Sequence, residues 1–411
     1  CLCRHCFAAL LLGFFWFAPS SFRQSAIVVM TKVIHITTVD LTIRLLLLPL
    51  LRHLESKGYK VGGACKFDQW RTNTNLDGIT MWDIRYFNRH ITPIQDLLAL
   101  LQLYLLFHRE QPDIVHTHTP KANLLGRIAA RLAGVPIVIG MEHGFYFLNM
   151  KGFNRAFHIL LSRFGAFLSD KTIVINQYDF DLALREKISK KGDLLLSYAG
   201  LGVNLNRFRT EVNSQSLKLE LNIDEDAIII LFVGRLNSEK GCRELIRAAG
   251  HINSTFQKFC LLMIGPSENG MREELEKLAA FLNIEKRVHL MGERQDIPQL
   301  LAPSDMLVLP SYREGLGMVL LEAAAAGKPT VTTNIRGCRD VVVDGETGLL
   351  VPPGSVQELA EAILDLLQNV GKRKRMGEAA RRHVEEKFDQ NLFFAQMDDL
   401  YSQLLKEKGT R

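Results

Sequence analysis

Short, almost uninterrupted apolar runs alternate with amphipathic stretches along nearly the whole chain, and this constrains the fold more than any other feature. In the first half, strands are expected at 33–39, 59–65, 114–117, 137–141 and 172–175, with helical patterns at 45–57, 93–109 and 123–133. In the second half, strands are expected at 228–233, 260–264, 288–291, 306–309 and 330–332, with helices at 242–251, 271–282, 316–326 and 356–369. A run such as IIILFV at 228–233 has no polar face. It must be covered on both sides, as strands of a parallel sheet are when crossover helices flank them. Two such stretches, each of about 180–200 residues, predict an α/β protein of two doubly wound domains. No residue-level repeat relates them, so the symmetry is one of architecture.

The domain division follows from where the periodicity breaks. Residues 30–205 form the first domain and 206–387 the second, with the amphipathic tail 388–411 extending the second or crossing back to the first. The segment 198–206 holds Gly200, Gly202, Asn204 and Asn206 and suits a hinge. Residues 1–29 differ from the rest. Their apolar run from Phe7 to Pro19 is shorter than the roughly 20 residues of a membrane span. It reads as a signal-like or anchor-like segment or an extension, with the protein proper starting at Met30 ahead of a good first strand. Cys3 and Cys6 have the spacing of half a metal or redox site, and no second pair follows. Cys65, Cys242, Cys260 and Cys338 are far apart, mostly in or beside apolar runs, as free buried thiols in a reducing compartment would be.

Composition excludes several classes. With 47% hydrophobic residues and a net charge of +6 over 411 residues, the chain is neither disordered nor a collagen-like or disulfide-bonded scaffold. The charge is also too small to argue for nucleic acid. It is uneven, however: residues 30–210 carry 23 Lys+Arg against 14 Asp+Glu, and residues 211–411 carry 25 against 30. A basic first half suits an anionic substrate or an anionic membrane surface. The stretch 153–167, with Arg155 and Arg163 among Phe and Leu, either lies on a bilayer or packs into the core.

Open parallel sheets bind ligands at the C-terminal ends of their strands, and the chemistry-bearing clusters fall there. After the strand at 228–233 come Gly234, Arg235 and Lys240, two cations in a loop that opens onto a helix, as a diphosphate site requires. After the strand at 306–309 comes REGLGMVLLE, with Gly315 and Gly317 at the turn. Backbone amides there can approach a ligand closely. Glu314 and Glu322, eight residues apart, are too distant to share a proton and would instead accept hydroxyl hydrogen bonds. Glu322 lies in an Ala/Leu-rich helix, where a buried carboxylate is costly unless paired. In the first half, His143 precedes Gly144 at a strand end and can donate to a sugar hydroxyl or an oxyanion. His116 and His118 share one face of a strand. That spacing allows metal binding, but no Asp, Glu or Cys ligand stands near them in sequence.

Taken together these segments resemble the family 4 glycosyltransferases, retaining nucleotide-sugar enzymes of the GT-B fold. The likeness is carried by the Glu-x7-Glu signature from Glu314 to Glu322, by GRLNSEKG, by GERQDIPQLLAPSDMLVLPS and by DGETGLLVPPG, in family order. PDIVHTHTPKANLLGRIAARLAGVP resembles the acceptor domain of members that build bacterial surface polysaccharides. The resemblance implies two Rossmann-like domains facing across a cleft, with the last helix returning to the first. It implies that Arg235 and Lys240 hold the donor diphosphate and that Glu322 takes the ribose hydroxyls. Glu314 with the amides of Gly315, Leu316 and Gly317 would hold the transferred sugar, and Gly292, Glu293 and Arg294 would lie against the base. His143 falls at the family's cleft histidine near the reacting centre.

Many members carry a Gly-Gly turn after the first strand. This chain has Thr37 to Thr42 there, leaving Arg44 as a substitute candidate, and His118 and Lys121 complete the acceptor-side set. The expected activity is transfer from a nucleotide-diphosphate sugar, with uridine favoured, to a glycan or lipid-linked hydroxyl. No metal or other cofactor is expected. The expected location is cytoplasmic, at the inner membrane face if the basic half contacts lipid. The competing readings are a nucleotide-sugar epimerase on the same fold and an inactive binding scaffold.

Overall fold

The computed structural model describes residues 30–409 except 68–74, 77, 89, 198, 210–213 and 222. The expectations for residues 1–29, including the Cys3/Cys6 pair, lie outside the described residues. Two α/β domains, each built on a largely parallel sheet, form the molecule. The first sheet comprises β1 (Lys32–Val39), β2 (Lys60–Lys66), β3 (Asn75–Leu76), β4 (Ile79–Asp83), β5 (Ile114–His118), β6 (Ile137–Glu142), β7 (Lys171–Val174) and β8 (Leu194–Leu196). Its order is β3-β4-β2-β1-β5-β6-β7-β8, and among the described residues β3–β4 is its one antiparallel pair. The second comprises β9 (Ile228–Val233), β10 (Phe259–Ile264), β11 (Val288–Gly292), β12 (Met306–Leu309), β13 (Thr330–Thr333) and β14 (Gly348–Val351), in the order β11-β10-β9-β12-β13-β14 and parallel throughout.

The sequence expectation located ten of these strands and missed β3, β4, β8 and β14. β3 and β8 have two and three residues, too few to show a period. β4 alternates buried and exposed positions, and half of β14 is only partly buried, as edge-side strands are. Central strands match the argument for burial on two faces: all six residues of β10 are buried. Helix starts follow local chemistry. Pro93 and Pro120 occupy first-turn positions, where a missing N–H costs nothing. Asn176 caps the helix Gln177–Arg185 by accepting from the Asp179 amide at 2.8 Å.

The strand orders decide where a ligand can sit. In the first sheet the order reverses between β1 and β5, and in the second between β9 and β12. Helices leave to opposite faces at such a point, which opens a crevice beyond the strand ends. The loops after β9 and β12 are those that carry Arg235, Lys240 and Glu314.

The chain crosses between the domains twice. One crossing runs through Ala199–Asn206, with Gly200 and Gly202 at positive φ. The second follows Phe388, and the two lie side by side: the Val203 amide donates to the Phe388 carbonyl at 2.8 Å and the Gln390 amide to the Val203 carbonyl at 3.1 Å. The hinge is therefore a paired strap: the expected linker region runs beside the returning tail, which takes the crossing-back course of the two that the sequence left open. Beyond it, the helix Gln390–Lys408 packs on the first domain. Its Asp398 contacts His53 at 2.9 Å, its Lys408 contacts Asp170 at 2.7 Å, and its Gln396 amide donates to the Leu196 carbonyl at 2.9 Å. Among the described residues no helix is long and apolar enough to cross a membrane, and all four described cysteines are free and buried.

Candidate active site

The domains meet over a polar cavity of about 160 Å³ lined by His143, Gly144 and Phe145 from the first domain and by Arg235, Glu239, Lys240, Arg313, Glu314, Gly315 and Arg336 from the second. Four residues singled out from sequence as catalytic, His143, Arg235, Lys240 and Glu314, thus line one cavity. The loop after β9 carries the two cations. Asn237 accepts from the Lys240 amide at 3.1 Å, which closes a tight turn. Gly241, at φ 69°, ends it where a Cβ would overlap the Pro310 carbonyl oxygen. This close approach ties the β9 loop to the β12 loop, so Lys240 reaches Glu314 at 2.5 Å. Ser311 donates to the same Glu314 oxygen at 2.7 Å. Arg235 pairs with Glu268 at 2.7 Å, and Asn237 holds the other Glu268 oxygen at 2.8 Å. Arg235 is still well exposed on the cavity wall, so an anion can compete for it.

The glycine turn serves a purpose the sequence did not disclose. A Cβ on Gly315 would overlap the carbonyl oxygen of His143. Gly144, at φ 117°, lies against the Gly315 Cα in turn. The turn is bare so that the two domains can touch. Asn176 of the first domain donates to the Gly315 carbonyl at 3.0 Å. Gly317 also corrects an expectation. Its amide is occupied by the Gly337 carbonyl at 3.2 Å and is not free for a ligand. Leu316 is buried, its side chain against Gly200 of the hinge, where a Cβ would collide with it. The helix that follows, Met318–Ala325, starts later than the expected residue 316 because these contacts hold the turn extended.

Arg336 and Asp179 were missed. Arg336 follows β13, lines the cavity and forms an ion pair with the buried Asp179 of the first domain. It also donates to the Phe145 carbonyl at 3.3 Å. Burial raises the Asp179 carboxyl and lowers the Arg336 guanidinium, each in spite of its partner. The only available signal was position: NIRGCRD follows a strand end, as the other site loops do.

The carboxylate of Glu322, inside the helix Met318–Ala325, has no hydrogen-bond partner among the described residues. Part of its side chain is accessible, yet protein surrounds it closely enough that burial pushes the carboxyl up to about 7, with Arg207 opposing weakly. Gly292 ends β11, Glu293 and Arg294 follow it in the loop, none of the three lines the cavity, and Arg294 is paired with Asp296 at 2.5 Å.

The acceptor-side expectations fare differently. Arg44 lies in a helical turn after β1, bound to Asp40 at 3.2 Å and away from the cavity lining. Lys121 is held by Asp96 at 2.6 Å and by the His90 carbonyl, so it anchors one helix to the next instead of facing an acceptor. His118 is wholly buried and cannot touch an acceptor at all. Lys121 and His118 are tied up by partners far off in sequence, which spacing does not reveal; Arg44 pairs one helical turn back with Asp40, a contact its spacing does allow.

Comparison with known proteins adds the following. A family model described as Glycosyl transferases group 1 matches residues 213–383, and one described as Glycosyltransferase Family 4 matches residues 46–190. Staphylococcus aureus capsular polysaccharide biosynthesis glycosyltransferase CapM is 32% identical over 78% of this chain and 84% of its own length. An Escherichia coli UDP-Gal:alpha-D-GlcNAc-diphosphoundecaprenol alpha-1,3-galactosyltransferase is 30% identical over 76% of this chain and 81% of its own. Among solved structures, sucrose-phosphate synthase from Thermosynechococcus elongatus superposes with a TM-score of 0.79 at 21% identity, over 92% of this chain and 100% of that one. Anabaena HepE in complex with UDP and glucose gives 0.77 at 21% identity, over 91% and 100%. These two share the fold.

Proposed function

The chain belongs to the family 4 glycosyltransferases, and from that membership we propose that it moves a sugar, with retention of anomeric configuration, from a nucleotide-diphosphate sugar to a hydroxyl of a glycan or lipid-linked acceptor in cell-surface polysaccharide synthesis. The observation that carries this reading is the convergence of Arg235, Lys240, Glu314 and His143 on one interdomain cavity at a strand-order reversal. A uridine donor is favoured, since the Escherichia coli relative is named for UDP-Gal and a structural neighbour holds UDP.

In this mechanism the donor diphosphate takes Arg235 from Glu268 and Lys240 from Glu314. The two side chains and the start of the helix Met318–Ala325 supply positive charge as the C1–O bond to phosphate breaks. Charge stabilisation of this kind needs no metal ion. The acceptor hydroxyl forms the new bond at C1 on the face the phosphate leaves. Its proton passes to the departing phosphate oxygen, so no protein nucleophile is required. Glu314, released from Lys240, accepts from the sugar hydroxyls, His143 donates to them, and Glu322 accepts from the ribose. Closure about the strap excludes water.

A membrane contact on the basic domain fits an acceptor on a lipid. Phe153, Phe157, Leu160, Phe164 and Phe167 of the helix Gly152–Phe167 are exposed, Phe153 by 82% and Phe167 by 83%. An apolar face of that kind on a basic domain suits an anionic bilayer surface, while Arg155 and Arg163 hold the helix to Glu186.

The test is thermal stabilisation of the protein by UDP, GDP and ADP in separate wells containing EDTA. A ligand that binds the native state raises its melting temperature. A rise with one nucleotide selects the donor series for transfer assays. An unchanged melting temperature with all three would remove the metal-independent donor site from consideration.

A further inference from the structure

Behind the cavity, four histidines and a tyrosine form a continuous line through the first domain. Their links are His118 Nδ1 to His143 Nε2 at 3.3 Å, His35 Nδ1 to His118 Nε2 at 3.0 Å, Tyr401 Oη to His35 Nε2 at 3.4 Å and His116 Nδ1 to Tyr401 Oη at 2.7 Å. His35, on β1, stands opposite His116 of β5 in the parallel register. His118 is two residues along on the same face, His143 follows β6, and Tyr401 comes from the helix Gln390–Lys408. His35, His116, His118 and Tyr401 are fully buried.

The nitrogens of His35, His116 and His118 lie within 4.8 Å of one another, a spacing that a metal ion could use. The ring geometry decides against that use. His35 and His118 have centroids 5.3 Å apart and planes within 14°. That separation is what 3.0 Å between nitrogens plus the radii of two imidazole rings gives, so both nitrogens lie on the centroid line. Each lone pair or N–H points straight at the other ring. This is the alignment of an N–H···N hydrogen bond, not of two lone pairs converging on a third point. His118 and His143, with centroids 5.5 Å apart and 3.3 Å between nitrogens, repeat it.

A line of this kind has a direction, because each neutral imidazole has one donor and one acceptor nitrogen. Burial holds His35, His116, His118 and His143 below the usual histidine range, His35 at about 3 and His143 at about 4, so all four are neutral near pH 7. Burial likewise keeps the Tyr401 hydroxyl protonated. At the far end His116 Nε2 is buried with no partner among the described residues. If that nitrogen carried the proton, a buried N–H would be orphaned, which native proteins almost never allow; a bare lone pair is the cheaper vacancy. His116 Nδ1–H must then donate to Tyr401, the Tyr401 hydroxyl to His35, His35 Nδ1–H to His118, and His118 Nδ1–H to His143 Nε2. The one remaining nitrogen of His143 carries a proton.

We propose that His116, Tyr401, His35 and His118 are positioning residues that lock His143 as a neutral Nδ1–H donor toward the transferred sugar. The proposal rests on the reading of His143 as a residue of the donor site. It excludes His143 as the base of the reaction, in keeping with a proton that passes to the leaving phosphate. It also makes the last helix part of the site, since Tyr401 crosses from beyond the hinge to set the line.

The test is long-range ¹H–¹⁵N correlation spectroscopy on the full chain with ¹⁵N-histidine at pH 7.5. The two tautomers of neutral imidazole have distinct nitrogen shifts. Signals are assigned through single His→Asn variants. The expected result is the Nδ1–H tautomer, the less common form in free histidine, for His35, His116, His118 and His143. An Nε2–H or doubly protonated His143 or His118 would overturn the proposal. This measurement needs no substrate, so it succeeds or fails apart from the assignment of the reaction. The second arm is Tyr401→Phe, which keeps the packing ring. It is expected to bring in the Nε2–H form of His143 and to lower kcat about tenfold, the weight of roughly one hydrogen bond, with donor KM unchanged. Unchanged tautomers and kcat in that variant would also overturn it.

Discussion

Glu322→Gln offers a prediction whose size follows from the structure. The Glu322 carboxyl is raised from an ordinary 4.5 to about 7 by burial. A carboxylate raised on folding stabilises the native state least when it is ionised. The penalty sets in as pH passes the unfolded value near 4.5, grows until about 7, and is constant above that. At about 1.4 kcal/mol per unit, the rise amounts to about 3 kcal/mol at pH 8 and less than about 1 kcal/mol at pH 5. Glutamine has the same shape and no charge to desolvate. The variant should therefore be more stable than the parent by about 2.5 kcal/mol more at pH 8 than at pH 5, read from urea unfolding at the two pH values. The same change removes a charged acceptor from the proposed ribose contact, and nucleotide binding should weaken by about 10- to 100-fold, the usual range for a hydrogen bond to a charged group. The parent should also bind UDP more tightly at pH 8 than at pH 6 by a margin that the variant lacks, which separates Glu322 from the titration of the nucleotide itself. Equal stability gains at both pH values would refute the burial argument. Gains of the expected pattern with UDP affinity unchanged would refute the ribose assignment while leaving the burial argument intact.

Other perturbations test other parts of the site. Arg235→Ala, at a well-exposed position, should leave the melting temperature within about a degree and lower turnover by about 100- to 1,000-fold, as loss of one charge-stabilising donor does. Gly315→Ala places a methyl group against the His143 carbonyl; UDP should still bind, but the domains should stay apart, seen as a larger radius of gyration in solution scattering and loss of transfer. Asp179→Asn strips the Arg336 ion pair of its charge across the domain boundary and should raise the donor KM; a KM unchanged from the parent would show that Arg336 needs no such tether. Replacing Phe153, Phe157, Phe164 and Phe167 together by Ser should reduce sedimentation with anionic vesicles at low salt without changing transfer to a soluble acceptor, and equal sedimentation would remove the membrane contact.

Much of the fold and part of the site could be read from the chain alone. Long apolar strands such as β9 and β10 are local signals, since a segment with no polar face allows few partners. The loops after β9 and β12 could be read for a related reason. A cation or carboxylate between an apolar strand and a helix start has no structural excuse, so Arg235, Lys240 and Glu314 stood out. Glu322 was legible as a costly carboxylate in an apolar helix, and His143 as a strand-end residue beside a glycine.

What the sequence could not supply was everything that depends on which loop meets which across the two sheets. Asp179 and Arg336 are 157 residues apart and became a pair only when the domains met. Lys121 looked free for an acceptor and proved to be held by Asp96, 25 residues away on another helix. The amide of Gly317 looked available and is bonded to Gly337. Tyr401 and His35, 366 residues apart, touch because the last helix crosses the hinge. Periodicity and turn chemistry are properties of neighbours along the chain, and they determined the elements, their burial and the loops that carry charge. Pairing between distant groups is settled by packing, which selects one arrangement among many that the same local signals allow.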